Sequence, residues 1–324
     1  MSVALTKSRA LNALRCYGNY ALSLFGLVRI THRPMFVSVE PANVCQLRCP
    51  ECPVGLRDRQ SPITNHQSPM MPVSVWQRTL AEVKDTAHTI QFYFQGEPLL
   101  NPNLPQMVRE AHEAGLYTIT STNAQALTPA MAEALIHAGL DRIIVSMDGL
   151  TDESYNAYRI GGSLEKTKAA LRYLREAKER LHGRTTIELQ CLRLRTNEQE
   201  WAAFKRVYKQ LGADKLVLKT AQLYDYTDGH PLMPSDARYS RYTKGADGLF
   251  HRKKLGRGCL RVWSGVVITT NGDVLPCCYD KAHSFTYGNI TTQPLAQLFA
   301  NERALAFRKA AINEQPTICQ ECWR

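Results

Sequence analysis

At 324 residues, 44% hydrophobic and 21% charged, the chain has the makeup of a globular protein with one sizeable core and a smaller appendage. No run of about eighteen apolar residues occurs, which excludes a hydrophobic helix long enough to span a bilayer. The formal charge of +11 favours an anionic substrate or partner, but the basic residues are scattered and no aromatic–basic motif accompanies them, so nucleic acid is not an expected partner.

Residues 1–33 come first, with Lys7, Arg9 and Arg15 ahead of an apolar stretch, Tyr20 to Val28, that Ser23 and Gly26 interrupt. Without a small-residue cleavage site this reads as an amphipathic arm capable of weak membrane-surface contact, not as a signal peptide. From residue 34 to 220, short β-like runs alternate with helical patterns. The runs are Met35–Glu40, Thr89–Phe94, Tyr117–Ser121, Arg142–Met147, Thr186–Leu192 and Lys215–Lys219. Thr128–Pro129 opens one helix and Gly139 closes it; Leu164, Leu171, Leu174, Ala177 and Leu181 mark another, stopped by Gly183. Asn197 and Glu200 have the spacing of a capping box ahead of Trp201, Phe204, Val207 and Leu211. Such alternation predicts an α/β fold with a parallel sheet and right-handed crossovers, leaving a doubly wound sheet and a barrel both open.

Chemistry-bearing residues cluster at the ends of these runs. After the first, Cys45, Cys49 and Cys52 stand at x3/x2 spacing among Gln46, Arg48, Pro50 and Pro53, whereas buried structural cysteines keep apolar company. Zinc and four-iron clusters normally take four thiolates, so three close ones suggest a cluster with one iron open to a small molecule. Gln95-Gly96-Glu97-Pro98 follows the second run, Thr122 and Asn123 the third. Ser146 and Asp148 end the fourth, two residues apart on one strand face and suited to ribose hydroxyls. Cys191, ending the fifth, is either a cavity-facing hydrogen-atom donor or a small buried hydrophobe. Residues 221–258 read as a linker rich in Tyr, Pro and Gly, and residues 259–324 as a unit bearing Cys259, Cys277, Cys278, Cys319 and Cys322. Ten cysteines at metal-ligand spacings without a secretion signal fit a reducing cytoplasm.

The three-cysteine loop, the Gly96-Glu97-Pro98 turn one strand later and the Cys259-x12-Gly272-x4-Cys277 spacing together resemble the radical S-adenosylmethionine (radical SAM) family with a shortened SPASM- or twitch-type auxiliary domain. The resemblance implies a partial (β/α)6 barrel over residues 34–220, its chemistry at the carboxyl ends of the strands, its mouth covered by residues 221–258, and then a small α+β iron–sulfur domain. It implies a [4Fe–4S] cluster on Cys45, Cys49 and Cys52 whose open iron takes the amino acid end of S-adenosylmethionine. Gly96, Glu97 and Pro98 would hold the ammonium, and Ser146, Asp148 and Asn123 would line the ribose site. Arg159 is a partner for a carboxylate of cofactor or substrate. Cys259, Cys277, Cys319 and Cys322 would close around a second [4Fe–4S] cluster with Cys278 outside the set, structural zinc being the alternative. Two such clusters bring the charge to about +8.

The implied reaction is reductive cleavage to a 5′-deoxyadenosyl radical that abstracts hydrogen, fed by a flavodoxin- or ferredoxin-type donor. The layout with one auxiliary cluster resembles that of a dehydrogenase acting on a sugar- or cyclitol-like, anionic small molecule, the auxiliary cluster accepting an electron. Peptide crosslinking or epimerisation, and a non-catalytic iron–sulfur or zinc protein, are the alternatives. Arg252, Lys253, Lys254, Arg257 and Arg261 form a basic run that is a solvated face or a dock for an acidic donor. Two departures leave the adenine contacts unassigned: Glu51 stands where the family often has an aromatic residue, and no glycine-bearing pattern surrounds Ile187.

Overall fold

Each of the six β-like runs is a strand, and the six pair in chain order as a parallel sheet. They are β1 (Phe36–Val39), β2 (Thr89–Phe92), β3 (Tyr117–Thr122), β4 (Arg142–Ser146), β5 (Thr186–Arg193) and β6 (Lys215–Thr220). The structure, a computed structural model, describes residues 6–60, 68–253, 258–313, 316–320 and 322. Helix α1 (Lys7–Leu24) precedes β1, and α2 (Pro53–Gln60) follows the cysteine loop. The crossovers carry α3 (Val73–Val83), α4 (Leu104–Glu113), α5 (Pro129–His137), α6 (Asp152–Asn156), α7 (Leu164–Arg180) and α8 (Trp201–Val207). Among the described residues no helix is long and apolar enough to cross a membrane.

Strand alternation sorts the sheet into two faces. Val37, Val39, Ile90, Phe92, Ile143, Val145, Ile187 and Leu189 are fully buried in the main core, against the helices. The register places Ser38 beside Gln91, Ile144 beside Glu188 and Leu192 beside Lys219 on the other face. That face mixes apolar with polar and charged groups: Ser38 donates to Gln91 at 3.1 Å and Arg142 pairs with Glu188 at 3.4 Å. A parallel sheet that lines one face with polar and charged groups fits a barrel lumen better than a doubly wound sheet whose two faces are both apolar.

Most of the helix punctuation acts as the spacing predicts. The Thr128 hydroxyl accepts from the Met131 N–H with Pro129 next in line, and Ser163 caps α7 the same way. Asn197–Glu200 differs. These residues lie in a 3-10 turn, Arg195–Glu200, and Asn197 turns inward while Glu200 accepts from the Leu150 N–H and the Ser154 hydroxyl. Two polar side chains with tertiary partners gain more there than by capping a helix of seven residues.

Beyond β6, a hairpin of β7 (Tyr242–Lys244) and β8 (Phe250–Arg252) stands apart from the main sheet. Then follow α9 (Leu260–Ser264), β9 (Gly265–Ile268), β10 (Asp273–Leu275), β11 (Gly288–Asn289), α10 (Leu295–Ala300), α11 (Glu302–Asn313) and α12 (Thr317–Gln320). β9 pairs parallel to β1, so the sheet runs β11-β10-β9-β1-β2-β3-β4-β5-β6. The C-terminal unit is thus an extension of the barrel sheet. β10 is antiparallel to β9 and returns toward the amino ends of the strands, carrying Cys277 and Cys278 with it. The cysteine loop leaves β1 at the opposite, carboxyl end.

Candidate functional site

The loop after β1 is held from two sides. Asn43 N–H donates to the Pro69 carbonyl, and Glu97 N–H, in the turn after β2, donates to Val44 at 2.8 Å. This zips the Gly96-Glu97-Pro98 turn onto the cysteine loop. The Cys45 sulfur accepts from Leu47 N–H at 3.4 Å and from the Asn123 amide at 3.3 Å, while Arg159 Nη1 stands 3.9 Å from the Cys49 sulfur. Cys52 N–H bonds to the Cys49 carbonyl. Burial pushes the Cys45 thiol up to about 11, and Cys52 and Cys49 add to the rise, so the three sulfurs share one neighbourhood. Burial raises Cys49 as well, against the opposing pull of Arg159. Metal binding must therefore expel protons here, and the N–H and guanidinium donors already aim at the sulfurs that would become thiolates.

Among the described residues no three thiols, imidazoles or carboxylates are gathered tightly enough to share one metal ion. A tetrahedral zinc with Zn–S of about 2.3 Å requires sulfurs about 3.8 Å apart. A four-iron cube gives each thiolate its own iron and accepts a wider spread, so the donor set of three soft thiols fits a cluster better than an ion.

Around this loop the expected residues converge, with roles that geometry redistributes. Glu97 is fully buried, and Thr122, Leu99 N–H and Asn123 N–H all donate to its carboxylate. Burial raises its pKa, opposed by those hydrogen bonds. It is a brace under the turn. Asn123 accepts from the Gln46 amide at 3.2 Å while donating to Cys45, tying β3 to the loop. Asp148, wholly buried, accepts from Arg159 Nε and from Leu192 N–H, each at 2.6 Å. Its first task is to hold Arg159, whose pKa burial lowers but Asp148 and Cys49 drive up overall. Ser146 is buried and makes no side-chain hydrogen bond among the described residues.

Cys191 does not line the cavity. Strand alternation turns it, with Ile187 and Leu189, into the helix-facing core, fully buried, where burial drives its thiol pKa far up. The hydrogen-atom-donor expectation is corrected to the hydrophobe reading. The basic run is likewise dispersed. Arg261 points its guanidinium at the Cys278 sulfur, 3.5 Å away, and Lys253 donates to the Ala237 and Ser240 carbonyls. Lys254 and Arg257 lie outside the described residues.

Sequence reasoning missed several groups. Glu51 accepts from Tyr224 N–H at 2.7 Å and faces His230 at 3.2 Å, anchoring the segment after β6 on the cysteine loop. Leu223, Leu232, Met233 and Tyr242 from that segment pack with Leu47 and Cys49. Asn197 donates to the Asp148 and Leu192 carbonyls at 2.8 Å each, and only its spacing to Glu200 had been visible.

At the other end of the lumen, burial drives the Cys277 thiol up, with Cys278, Cys319 and Cys259 adding to the rise. Cys322 N–H bonds to the Cys319 carbonyl, closing the C-x2-C turn. Cys259, Cys277, Cys278 and Cys319 thus share one neighbourhood, in which the Cys278 sulfur stands 3.5 Å from Arg261 Nη1. Lys281 lies within electrostatic reach of both Cys52 and Cys278; burial lowers its pKa and these thiols raise it. Tyr93, Arg142, Glu188 and Lys219 share that region with Arg261 and Arg241. Lys219 and Arg261 keep solvent contact, so the groups around Cys278 are mostly cationic and partly open to solvent.

Comparison with known proteins gives three kinds of match. Residues 39–198 match the Radical SAM superfamily, and residues 259–323 match SPASM, an iron–sulfur cluster-binding domain. A PqqA peptide cyclase from Rhizobium meliloti (strain 1021) is 25% identical over 317 residues, spanning 90% of this chain and 80% of that protein. Among solved structures, SuiB of Streptococcus suis bound to S-adenosylmethionine superposes with a TM-score of 0.67 at 13% identity, covering 99% of this chain and 79% of its own. BtrN in complex with AdoMet and 2-DOIA gives 0.53 at 16% identity, covering 91% and 95%.

Proposed function

This chain belongs to the radical SAM family and carries a SPASM domain, and from that premise we propose that it oxidises, by two electrons, a substrate held in the lumen between the two cysteine sets. Cys45, Cys49 and Cys52 hold the cluster that binds S-adenosylmethionine; Cys259, Cys277, Cys319 and Cys322 hold the second. When bound, the first cluster and its ligand supply a 5′-deoxyadenosyl radical that removes a substrate hydrogen atom. The chain's own residues position and enclose. Asn123 fixes Cys45, the Asp148–Arg159 pair sets a cation beside Cys49, and Glu51 draws the segment after β6 over the loop, keeping water out.

The observation that carries this reading is Lys281, three residues after Cys278: its Nζ donates to the Tyr224 hydroxyl at 2.8 Å and its carbonyl accepts from Gln95 at 2.9 Å, against the segment that Glu51 anchors on the cysteine loop, which supports one chamber bordered by both sets. Four thiolates would leave a second cluster no open iron for substrate, so the chemistry it would supply is to take one electron from the substrate radical, whose proton would pass to solvent. The cations facing the chamber support an anionic, sugar- or cyclitol-like small molecule. A second reading, crosslinking or epimerisation of a peptide, is favoured by the 90% of this chain that aligns with a PqqA peptide cyclase. Either way the chemistry begins with 5′-deoxyadenosine. The reconstituted protein, reduced with dithionite, should form it from S-adenosylmethionine, and the Cys45→Ala, Cys49→Ala, Cys52→Ala triple variant should form none; production by the triple variant contradicts the assignment. Transfer of deuterium into 5′-deoxyadenosine from a labelled anionic sugar, and not from a peptide, would decide for the first reading; the reverse would decide for the second.

A further inference from the structure

Helix α1 is laid on the fold inside out. Arg9, Asn12, Cys16, Asn19 and Ser23 recur at three- and four-residue spacing and form its buried face. The Arg9 guanidinium donates to the carbonyls of Lys84, Ala114 and Gly115, Asn12 to those of Arg33 and Thr86, and Asn19 to Thr31 and His32. The fold thus claims the polar stripe, and the apolar stripe faces out, the reverse of an ordinary surface helix. Leu14 is 71% exposed and Phe25 85%, with Leu11, Tyr17 and Leu27 exposed beside them.

The charge of the segment that carries this ridge has one sign. No Asp or Glu precedes Glu40 in the sequence, while Lys7, Arg15, Arg29 and Arg33 are all exposed. Beside Leu11 lies a cleft of about 410 Å³ lined by Arg15 and Arg33, with Ser8, Thr31 and Thr86. Neither guanidinium has a hydrogen-bond or ion-pair partner among the described residues. Asp85, next to Thr86, acts on Arg9.

We propose that this face binds an anionic lipid surface, the apolar ridge entering the bilayer interface and Arg15 and Arg33 taking a phosphate-bearing headgroup in the cleft. Aliphatic and aromatic residues on one helix face, bordered mostly by cations, are what such an interface selects. A second copy of the chain fits worse, because a two-fold contact through this ridge would set cation against cation. The carbonyls that hold Arg9 lie just ahead of β2 and β3, so α1 sits at the amino ends of the strands. A bound bilayer therefore leaves the cysteine loop facing away from it, and the proposal stands independently of the reaction.

Flotation of the cluster-loaded full chain on sucrose gradients tests this, with vesicles of phosphatidylcholine alone and of phosphatidylcholine with phosphatidylglycerol. The protein should float with the anionic vesicles, not with the neutral ones, and high salt should release it. Leu14→Glu with Phe25→Glu should lower flotation about tenfold, and Arg15→Glu with Arg33→Glu should abolish the preference for anionic lipid, both with unchanged melting temperatures. Three outcomes overturn the proposal: no flotation, flotation indifferent to both variants, or a dimer in light scattering that Leu14→Glu with Phe25→Glu dissolves. Inorganic phosphate at millimolar level displacing the protein as well as salt-matched vesicles do would also overturn it, reducing the cleft to a free-anion site.

Discussion

Gly96 has a φ of +69°, and a Cβ there would lie 2.2 Å from the Ala42 carbonyl oxygen. Neither the conformation nor the contact admits a side chain, since the opposing atom is backbone of the cysteine loop. Gly96→Ala should separate turn from loop, cost about 3 kcal/mol, and lower the iron bound per chain. Unchanged melting and iron content would show that the loop adjusts freely. Asn197, whose spacing to Glu200 is that of a capping box, serves tertiary structure instead. Buried, it donates to two carbonyls and accepts from Leu194 N–H and Trp201 Nε1. Asn197→Ala leaves those groups unpaired and should destabilise by about 3 kcal/mol, measured in urea, with weakened S-adenosylmethionine binding because the Asp148 backbone loses its tether. The Cys45 spacing and the Glu97 turn were legible because each is a short pattern with one chemistry. Asn197 and Glu51 were not, since a lone amide or carboxylate in a loop carries no periodicity, and its partners lie far away in sequence or on backbone atoms.

At the scale of elements, the six strands and most helices were readable from period and punctuation, because apolar alternation and N-cap residues are local signals. The orientation of α1 was not. Its buried side is polar, so hydrophobic periodicity points the wrong way, and only tertiary partners explain the choice. His32 belongs to that docking. Its Nδ1 accepts from Asn19 at 2.8 Å, and Nε2 lies 2.8 Å from the Trp263 carbonyl, which makes it a neutral ring with the proton on Nε2. Burial pushes its pKa down to about 4, against the hydrogen bond to Trp263 and with help from Arg308. The unfolded chain takes up this proton near 6.5, the folded chain near 4. Stability should thus be unaffected above pH 6.5 and fall between 6.5 and 4, by at most about 3 kcal/mol. His32→Asn should flatten that slope in urea titrations across the window; an unaltered slope would place the titration elsewhere.

Over the whole molecule, β9 beside β1 is the fact least visible in sequence, because it pairs residues more than two hundred positions apart through register alone. That pairing makes the C-terminal cysteines part of the barrel, and sets them toward the amino end of the lumen while Cys45, Cys49 and Cys52 border its carboxyl end. The cationic residues between, Lys219, Arg241, Arg261 and Lys281, come from four separate segments, which is why the net charge was readable and its destination was not. Arg308 closes the junction from below, fully buried, its guanidinium 4.3 Å over the Phe299 ring and bonded to the Val262, Phe299 and Ala304 carbonyls.

The proposed two-electron oxidation requires two iron–sulfur clusters facing one chamber. Iron, acid-labile sulfide and zinc per chain, measured after anaerobic reconstitution of the wild type and of the Cys45→Ala, Cys49→Ala, Cys52→Ala variant, test it most directly. About eight irons and eight sulfides falling to about four of each in the variant is the predicted result. About four irons with one zinc in the wild type, the zinc persisting in the variant, would contradict it and leave the C-terminal cysteines a structural site with no electron to accept.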